Sequence, residues 1–348
     1  MRDRDLTQWV IISPTLIRDL VQVIDRAGLG LVFVTDSSGL LVAIATDGDI
    51  RRALLAGHGL GSPAYSAFNH NFLTIEEASY EGHVFEEADR RQLTAIPVVD
   101  GRGILVAVEV LQKRRVEIRR ENVVVIMAGG KGLRLLPYTE HTPKPLLKIN
   151  GKPMLQKIIE NLRDDGFSLI YLAIHHLGEQ IEEYFGGGSR FGVTIKYIRE
   201  DSALGTAGAL TLLPETSSLP VVVLNGDLLL GADIGKMVDY HVQQGADITV
   251  GAKVFETNVP YGVLSLDGQT ITGIREKPVY RNLVNAGVYV LSQNVLSRIE
   301  AGKVIDMPEV LFSNIHGRKV LAYAMHETWA DLGNPAEFAR SQEFGSET

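Results

Sequence analysis

Residues Val123 to Arg134 read VVVIMAGGKGLR, and this run decides the architecture of the longer part of the chain. Five apolar residues in a row, Val123 to Met127, predict a strand buried on both faces, because a strand with one wet face alternates. The strand feeds directly into Ala128, Gly129, Gly130, Lys131 and Gly132. Glycines let backbone N–H groups turn toward a phosphate with no Cβ in the way, so this loop is a candidate anion cradle. Two familiar phosphate loops do not fit it. A P-loop needs Gly-Lys-Ser/Thr after its last glycine, which is absent, and the dinucleotide fingerprint needs a third glycine where Leu135 stands.

Downstream, Arg134 is followed by Pro137, Thr139 and the string Thr142-Pro143-Lys144-Pro145-Leu146. The prolines stiffen an extended segment and fix Lys144 in place. Bare amides, a guanidinium and an ammonium together suit a highly anionic triphosphate. Helical and strand patterns then alternate: a helix over Leu155–Arg163, strands near Leu169–Ile174 and Val193–Ile198, and a helix at Glu179–Tyr184 between them. Such alternation predicts a mostly parallel sheet covered on both faces, with ligands beyond the carboxyl ends of its strands. Val221 to Asp227 reads VVVLNGD, a buried strand ending in a carboxylate at that edge. A hard divalent cation bridging phosphate oxygens would explain Asp227; a turn or helix-cap Asp is the plain alternative. Gly205-Thr206-Ala207-Gly208 permits close approach of a flat base, or else tight helix–sheet packing.

The glycine loop with Arg134 and x-P-K-P-L resembles the nucleotidyltransferases that activate sugar phosphates, over about Asn122 to Phe344. The resemblance implies a Rossmann-like, GT-A-like α/β fold with a mostly parallel mixed sheet. It implies Ala128, Gly129, Gly130, Gly132, Gly205, Thr206 and Gly208 at the nucleotide, and Arg134, Lys144 and Lys277 as catalytic cations. Asp331, in Trp329-Ala330-Asp331-Leu332-Gly333-Asn334-Pro335, would complete a Mg²⁺ site with Asp227. Tyr261, Gly262, Glu276 and Asn285 would line the sugar pocket, from the strings Y-G-V, E-K-P and N-A-G-V-Y. Leu133 departs from the family, which commonly has Thr or Ser there. The chain as a whole is similar to CBS-linked transferases of bacterial nonulosonic (legionaminic) acid pathways, which act on glucosamine 1-phosphate with GTP. Mannose 1-phosphate with GTP, or UTP or dTTP as donor, stays open. A reading of another class also stays open, a nucleotide sensor that binds without turnover.

Upstream the chain repeats itself. Val34-Thr35-Asp36 returns as Val98-Val99-Asp100, and Gly39 to Ile44 returns as Gly103 to Val108. Asp25-Arg26 returns as Asp89-Arg90, and every pair stands 64 positions apart. Two units, each too small for a good core, are expected to pack as one domain. Over about residues 1–118 the pattern, with Thr46-Asp47-Gly48-Asp49, resembles an α+β pair of CBS modules (a Bateman domain). That resemblance implies an adenine nucleotide held by Thr46 and Asp49, and association into dimers. The alternative is that Thr46 and Asp47 cap the helix that follows. In the second copy Val110 and Lys113 replace the ribose-binding pair. Residues 111–121, LQKRRVEIRRE, read as a solvated last helix running into a linker, and a transferase domain is expected over 122–348.

The 348 residues suit two domains. Asp and Glu outnumber Lys and Arg, 42 to 34, and the net charge of −8 argues against a nucleic-acid or anionic membrane surface. There is no cysteine, which excludes disulfides, thiolate metal sites and cysteine nucleophiles. No apolar run matches a signal peptide or a membrane span, so a cytoplasmic protein is expected. Adjacent His175 and His176 make a poor metal pair on a strand, and no G-x-S-x-G elbow appears.

Overall fold

The computed structural model describes residues 2–3, 5–77, 84–85, 87–88, 91, 93–111, 119–214, 218–333 and 335–343. Two compact units emerge, Met1–Val116 with Val254–Leu283, and Glu117–Lys253 with Val284–Thr348. Residues 254–283 thus group with the first unit, although they lie within the stretch 122–348 expected as a transferase domain. The repeat partners Asp89 and Arg90, the residue Lys113 and the linker residues 112–118 lie outside the described residues.

In the first unit the repeat holds down to single pairings. Strand Leu31–Thr35 runs antiparallel to Leu41–Thr46 with its register slipping between Val34 and Thr35. Ala95–Val99 runs antiparallel to Leu105–Val110 with the same slip between Val98 and Val99. Each first strand also takes a parallel neighbour, Ile11 facing Val34 in one copy and Ile75 facing Val98 in the other. The turns match as well. Asp36 Oδ1 accepts from the N–H groups of Ser38 and Leu40, and Asp100 Oδ1 from those of Arg102 and Ile104, at 2.8 to 3.0 Å. The two turns then bond to each other. Leu41 N–H donates to Gly103 O and Leu105 N–H to Gly39 O, both at 3.1 Å, which is a local two-fold relation. A lone hairpin is marginal in water, and here each copy supplies what the other lacks. Trp9, Phe33 and Ile44 share one apolar cluster with Val99, Leu105 and Val108.

The inserted segment of this unit carries a further hairpin, Val263–Asp267 against Thr270–Arg275, turning at Gly268 with φ 56°. Arg281 lies where a Cβ on Gly59 would stand, and it pairs with Glu256 at 2.8 Å.

The second unit is built on a 7-stranded sheet in the order Thr194–Arg199, Leu169–Ile174, Val124–Met127, Val221–Asn225, Val279–Leu291, Ile248–Asn258, Val320–Met325. The first four run parallel. Val279–Leu291 runs antiparallel to Val221–Asn225, and Ile248–Asn258 runs parallel to Val320–Met325. Side chains alternate between two cores, as a pleat with both faces covered requires. Val124, Ile126, Val222 and Leu224 enter one core, and Val123, Val125, Val221 and Val223 enter the other. Helix Met154–Asp164 buries Leu155, Ile158, Ile159 and Leu162 against the first, the stripe that 3.6-residue periodicity predicts.

From Val124–Met127 the chain crosses over to Leu169–Ile174 on one side, and it later returns to Val221–Asn225 on the other. The strand order therefore reverses at Val124–Met127. Loops leaving neighbouring strand ends there splay apart and open a crevice. Among the described residues no helix is long and apolar enough to cross a membrane.

Candidate functional site

A cavity of about 590 Å³ opens at that reversal point. Ala128, Gly129, Gly130, Gly132, Arg134, Lys144, Gly205, Thr206 and Asp227, all candidates from sequence, line it. The backbone fixes the two loops that frame it. Ala128 N–H donates to Ala173 O at 2.8 Å, and Gly226 N–H donates to Met127 O at 2.9 Å. Gly132 is the hinge of the glycine loop. It sits at φ 64°, and a Cβ there would stand 2.8 Å from Thr139 Cγ2. Thr139 is buried and donates its hydroxyl proton to Gly132 O at 2.9 Å, so the threonine of the motif braces the loop from behind. Arg134 is exposed on the cavity wall, and Leu133 is exposed beside it.

The two carboxylates meet through a short ladder. Leu228–Leu230 pairs antiparallel with Trp329–Asp331, Leu228 facing Asp331, and Leu332 N–H donates to Asp227 O at 3.0 Å. A Cβ on Gly333 would stand 2.8 Å from Asp331 Oδ1 and 3.0 Å from Asp227 Oδ2, and in contact with Lys144 Nζ. Three charged groups therefore ring one point that only a glycine leaves open. Gly333 N–H pins Asp331 Oδ1 at 2.8 Å, and Lys144 donates to Asp227 Oδ2. Two carboxylates from separate strand ends, facing a phosphate-sized opening, are the donor set a hard divalent cation takes when substrate phosphates complete its shell. The residues fit such an ion.

Asn285 lies on Val279–Leu291 and donates through Nδ2 to Tyr289 Oη at 2.8 Å, while its Oδ1 accepts from Gly287 N–H at 3.0 Å. Burial pushes the Tyr289 phenol up, so it stays protonated. Gly287, at φ 73°, lets Asn225 approach, since a Cβ there would stand 2.6 Å from Asn225 Nδ2. Asn225 lines the cavity, which ties the N-A-G string to it. The remaining sugar-side candidates come together in the first unit. A Cβ on Gly262 would stand 2.8 Å from Glu276 Oε2. Tyr261, Glu276 and Lys277 are exposed, and Lys277 holds a left-handed φ of 43°.

In the Gly205–Gly208 segment Gly205 and Thr206 line the cavity, while three of its amides are already engaged. Thr206 N–H donates to Asp306 Oδ1 at 2.9 Å, and the N–H groups of Ala207 and Gly208 donate to Ile305 O. A Cβ on Gly208 would collide with Lys303 O, and Gly208 does not line the cavity. Tight packing accounts for Gly208, whereas Gly205 both packs against Ile305 O and lines the cavity. Their neighbours supply what the sequence reading missed. Glu200 and His175 line the cavity just past their strands. His175 Nδ1 lies 3.0 Å from Glu200 O, and Glu200 Oε2 accepts from Leu204 N–H at 2.9 Å. The signal was available in their position, one residue beyond Ile174 and Arg199.

Thr46 and Asp49 form a capping box at the start of helix Asp47–Leu55. Thr46 Oγ1 donates to Asp49 Oδ2 at 2.5 Å, Asp49 N–H returns a bond of 3.2 Å to Thr46 Oγ1, and Arg52 pairs with Asp49 Oδ1 at 2.5 Å.

Comparison with known proteins covers the second unit and the inserted segment. The family model described as nucleotidyl transferase matches residues 123–347. UTP–glucose-1-phosphate uridylyltransferase of Synechocystis is 34% identical over 236 residues, covering 62% of this chain and 61% of the relative. Mannose-1-phosphate guanylyltransferase of Mycobacterium tuberculosis is 30% identical, covering 62% of each. The chain thus spans about three fifths of the length of the curated relatives it matches. Among solved structures, HddC of Yersinia pseudotuberculosis complexed with GMP-PN superposes with a TM-score of 0.50 at 25% identity, covering 64% of this chain and 99% of that one.

Proposed function

The chain belongs to the nucleotidyl transferase family, and we propose that it moves a nucleotidyl group from GTP to a sugar 1-phosphate, releasing pyrophosphate. One observation carries the reading. The glycine loop, Arg134, Lys144 and Asp227 line a single cavity at the reversal point of the sheet, and Asp331 stands beside Asp227. The acceptor phosphate oxygen is already anionic, so attack on the α-phosphorus requires no general base. The protein's task is to align the two reactants and to neutralise charge. Loop amides and Arg134 would hold the triphosphate, Glu276 and Lys277 the sugar and its phosphate. A divalent cation, Mg²⁺ by the hardness of the donors, would be held by Asp227 and Asp331 and would screen the α-phosphoryl oxygens.

Guanine is favoured by two supports. Relatives named as guanylyltransferases recur among the matches, and HddC was solved with GMP-PN. Glu200 also places a carboxylate on the cavity wall, an acceptor suited to the N1–H and 2-amino group of guanine. Glucosamine 1-phosphate is the acceptor proposed first, from the resemblance of the whole chain to CBS-linked transferases of legionaminic acid pathways; mannose 1-phosphate and glucose 1-phosphate compete with it. For the first unit we propose a CBS pair that binds an adenine nucleotide at Thr46 and Asp49 and dimerises, with the protein acting in the cytoplasm.

The test is a matrix of GTP, UTP, dTTP and ATP against these sugar phosphates with Mg²⁺, read as pyrophosphate and as product mass. GDP-glucosamine as the dominant product is expected. Silence across the matrix with nucleotide binding intact would establish a sensor instead. Adenosine monophosphate that fails to move the melting midpoint would remove the CBS ligand, and a monomer in light scattering would remove the dimer.

A further inference from the structure

We propose that Lys144 is an internal counter-ion for the Asp227–Asp331 pair. It occupies the cation's place in the nucleotide-free protein, so that the divalent ion enters together with the triphosphate and not before it. The inference deepens the proposed transferase reading and rests on it.

Lys144 is only 9% exposed, and its ammonium donates to Asp227 Oδ2. It reaches that point from a rigid base. Lys144 opens a short 3-10 turn, Lys144–Leu146, flanked by Pro143 and Pro145, with Leu147 N–H closing on Lys144 O at 3.0 Å. The root of the same side chain touches the glycine loop, since Lys144 Cβ is 3.2 Å from where a Cβ on Gly132 would be. One lysine therefore spans the distance from the phosphate loop to the carboxylates. Its head shares the glycine-lined point with Asp331 Oδ1 and Asp227 Oδ2.

Charge decides the order of events. Two carboxylates and one ammonium leave a single negative charge, a poor lure for a doubly charged, strongly hydrated ion. A triphosphate at the adjoining loop adds several negative charges. The ammonium then gains a second set of oxygens to turn to, and the carboxylates become available. By linkage, metal and triphosphate must raise each other's affinity through this residue.

The test uses Mn²⁺ alone as probe, followed through the electron paramagnetic resonance of the free ion, on the full chain without nucleotide. Lys144→Met is expected to bind Mn²⁺ about tenfold or more tightly than the wild type, because an adjacent positive charge is gone. Lys144→Arg keeps the charge and should stay as weak as the wild type. Melting midpoints report whether each variant folds, and added Mn²⁺ should raise that of Lys144→Met more than that of the wild type. Equal or weaker Mn²⁺ binding by folded Lys144→Met overturns the proposal. If Lys144→Met fails to fold, Lys144→Gln carries the same comparison. Asp227→Asn separates the two levels. Its loss of Mn²⁺ binding is expected from the site itself, and binding that survives it removes the site and this inference together.

Discussion

The Thr46–Asp49–Arg52 cluster and the Lys144–Asp227–Asp331 cluster both bring carboxylates to a cation, and they differ in where the partners come from. Thr46, Asp49 and Arg52 follow one another at three-residue steps through the first two turns of one helix and close on one another, forming a cap. Lys144 and Asp227 stand 83 residues apart, meet Asp331 from a third segment, and do so at the rim of a 590 Å³ opening. Groups that satisfy themselves locally cap the helix as they stand, and a ligand bound there would have to exchange bonds already made. Groups drawn from distant strand ends to the wall of a cavity are placed to meet a ligand held there. The sequence pattern T-D-G-D and the pattern N-G-D look equally functional on the page; only the provenance of the partners separates them.

The comparison breaks first at Asp227. Asp227→Asn should lower nucleotidyl transfer by about 10²–10³ with the melting midpoint near wild type, a loss on the scale of one preorganised electrostatic group. An undiminished rate would move that carboxylate to the structural side. Gly132→Ala comes next. It forces a side chain into the left-handed region against Thr139 Cγ2 at 2.8 Å, so it should cost about 1–2 kcal/mol and loosen the phosphate loop. Chemical denaturation together with the Michaelis constant for the triphosphate would register both.

Thr46→Ala sharpens the other half. As a cap it should cost about 1 kcal/mol of stability, read by denaturation without added ligand. No stability change would mean that the box contributes nothing and that the residues are kept for a ligand. The smallest effect concerns Asp165, beside Asp233 at the start of helix Ile234–Gln244. Burial, helped by the Asp233 charge, pushes its carboxyl up to about 7. The folded state then holds a proton that the unfolded chain releases near 4, so stability falls as pH rises from about 4 to 7. Asp165→Asn should flatten melting against pH in that window. His241 acts in the opposite sense. Burial lowers its pKa, so its contribution is complete above the ordinary histidine range and is lost as pH falls through it. A slope in Asp165→Asn that is unchanged would acquit Asp165.

Much of this was legible because strand ends converge in a parallel sheet. Val123–Met127 and Val221–Leu224 read as buried strands, so Gly129 and Asp227, each just past one, were bound to be neighbours. His175 and Glu200 obey the same rule and were passed over, since they belong to no motif. Asp331 is different. It approaches Asp227 through a pairing between residues about a hundred positions apart, which no local pattern announces and only family resemblance suggested. The 64-residue repeat was readable down to its turns, because each copy carries its own Asp-closed hairpin. The grouping of residues 254–283 was not. Leu264, Leu266, Ile271 and Ile274 stay exposed, so alternation there names a hairpin and no partner.

The central claim is that Asp227 and Asp331 serve one point, and a double-substitution cycle tests it most directly. Transfer rates would be measured for Asp227→Asn, Asp331→Asn and the pair, all at saturating divalent cation. Each single change should remove most of the activity, and the pair should lose no more than the worse single, because one shared function can be lost only once. Losses that multiply, or one variant at near wild-type rate, would mean that the two carboxylates work apart.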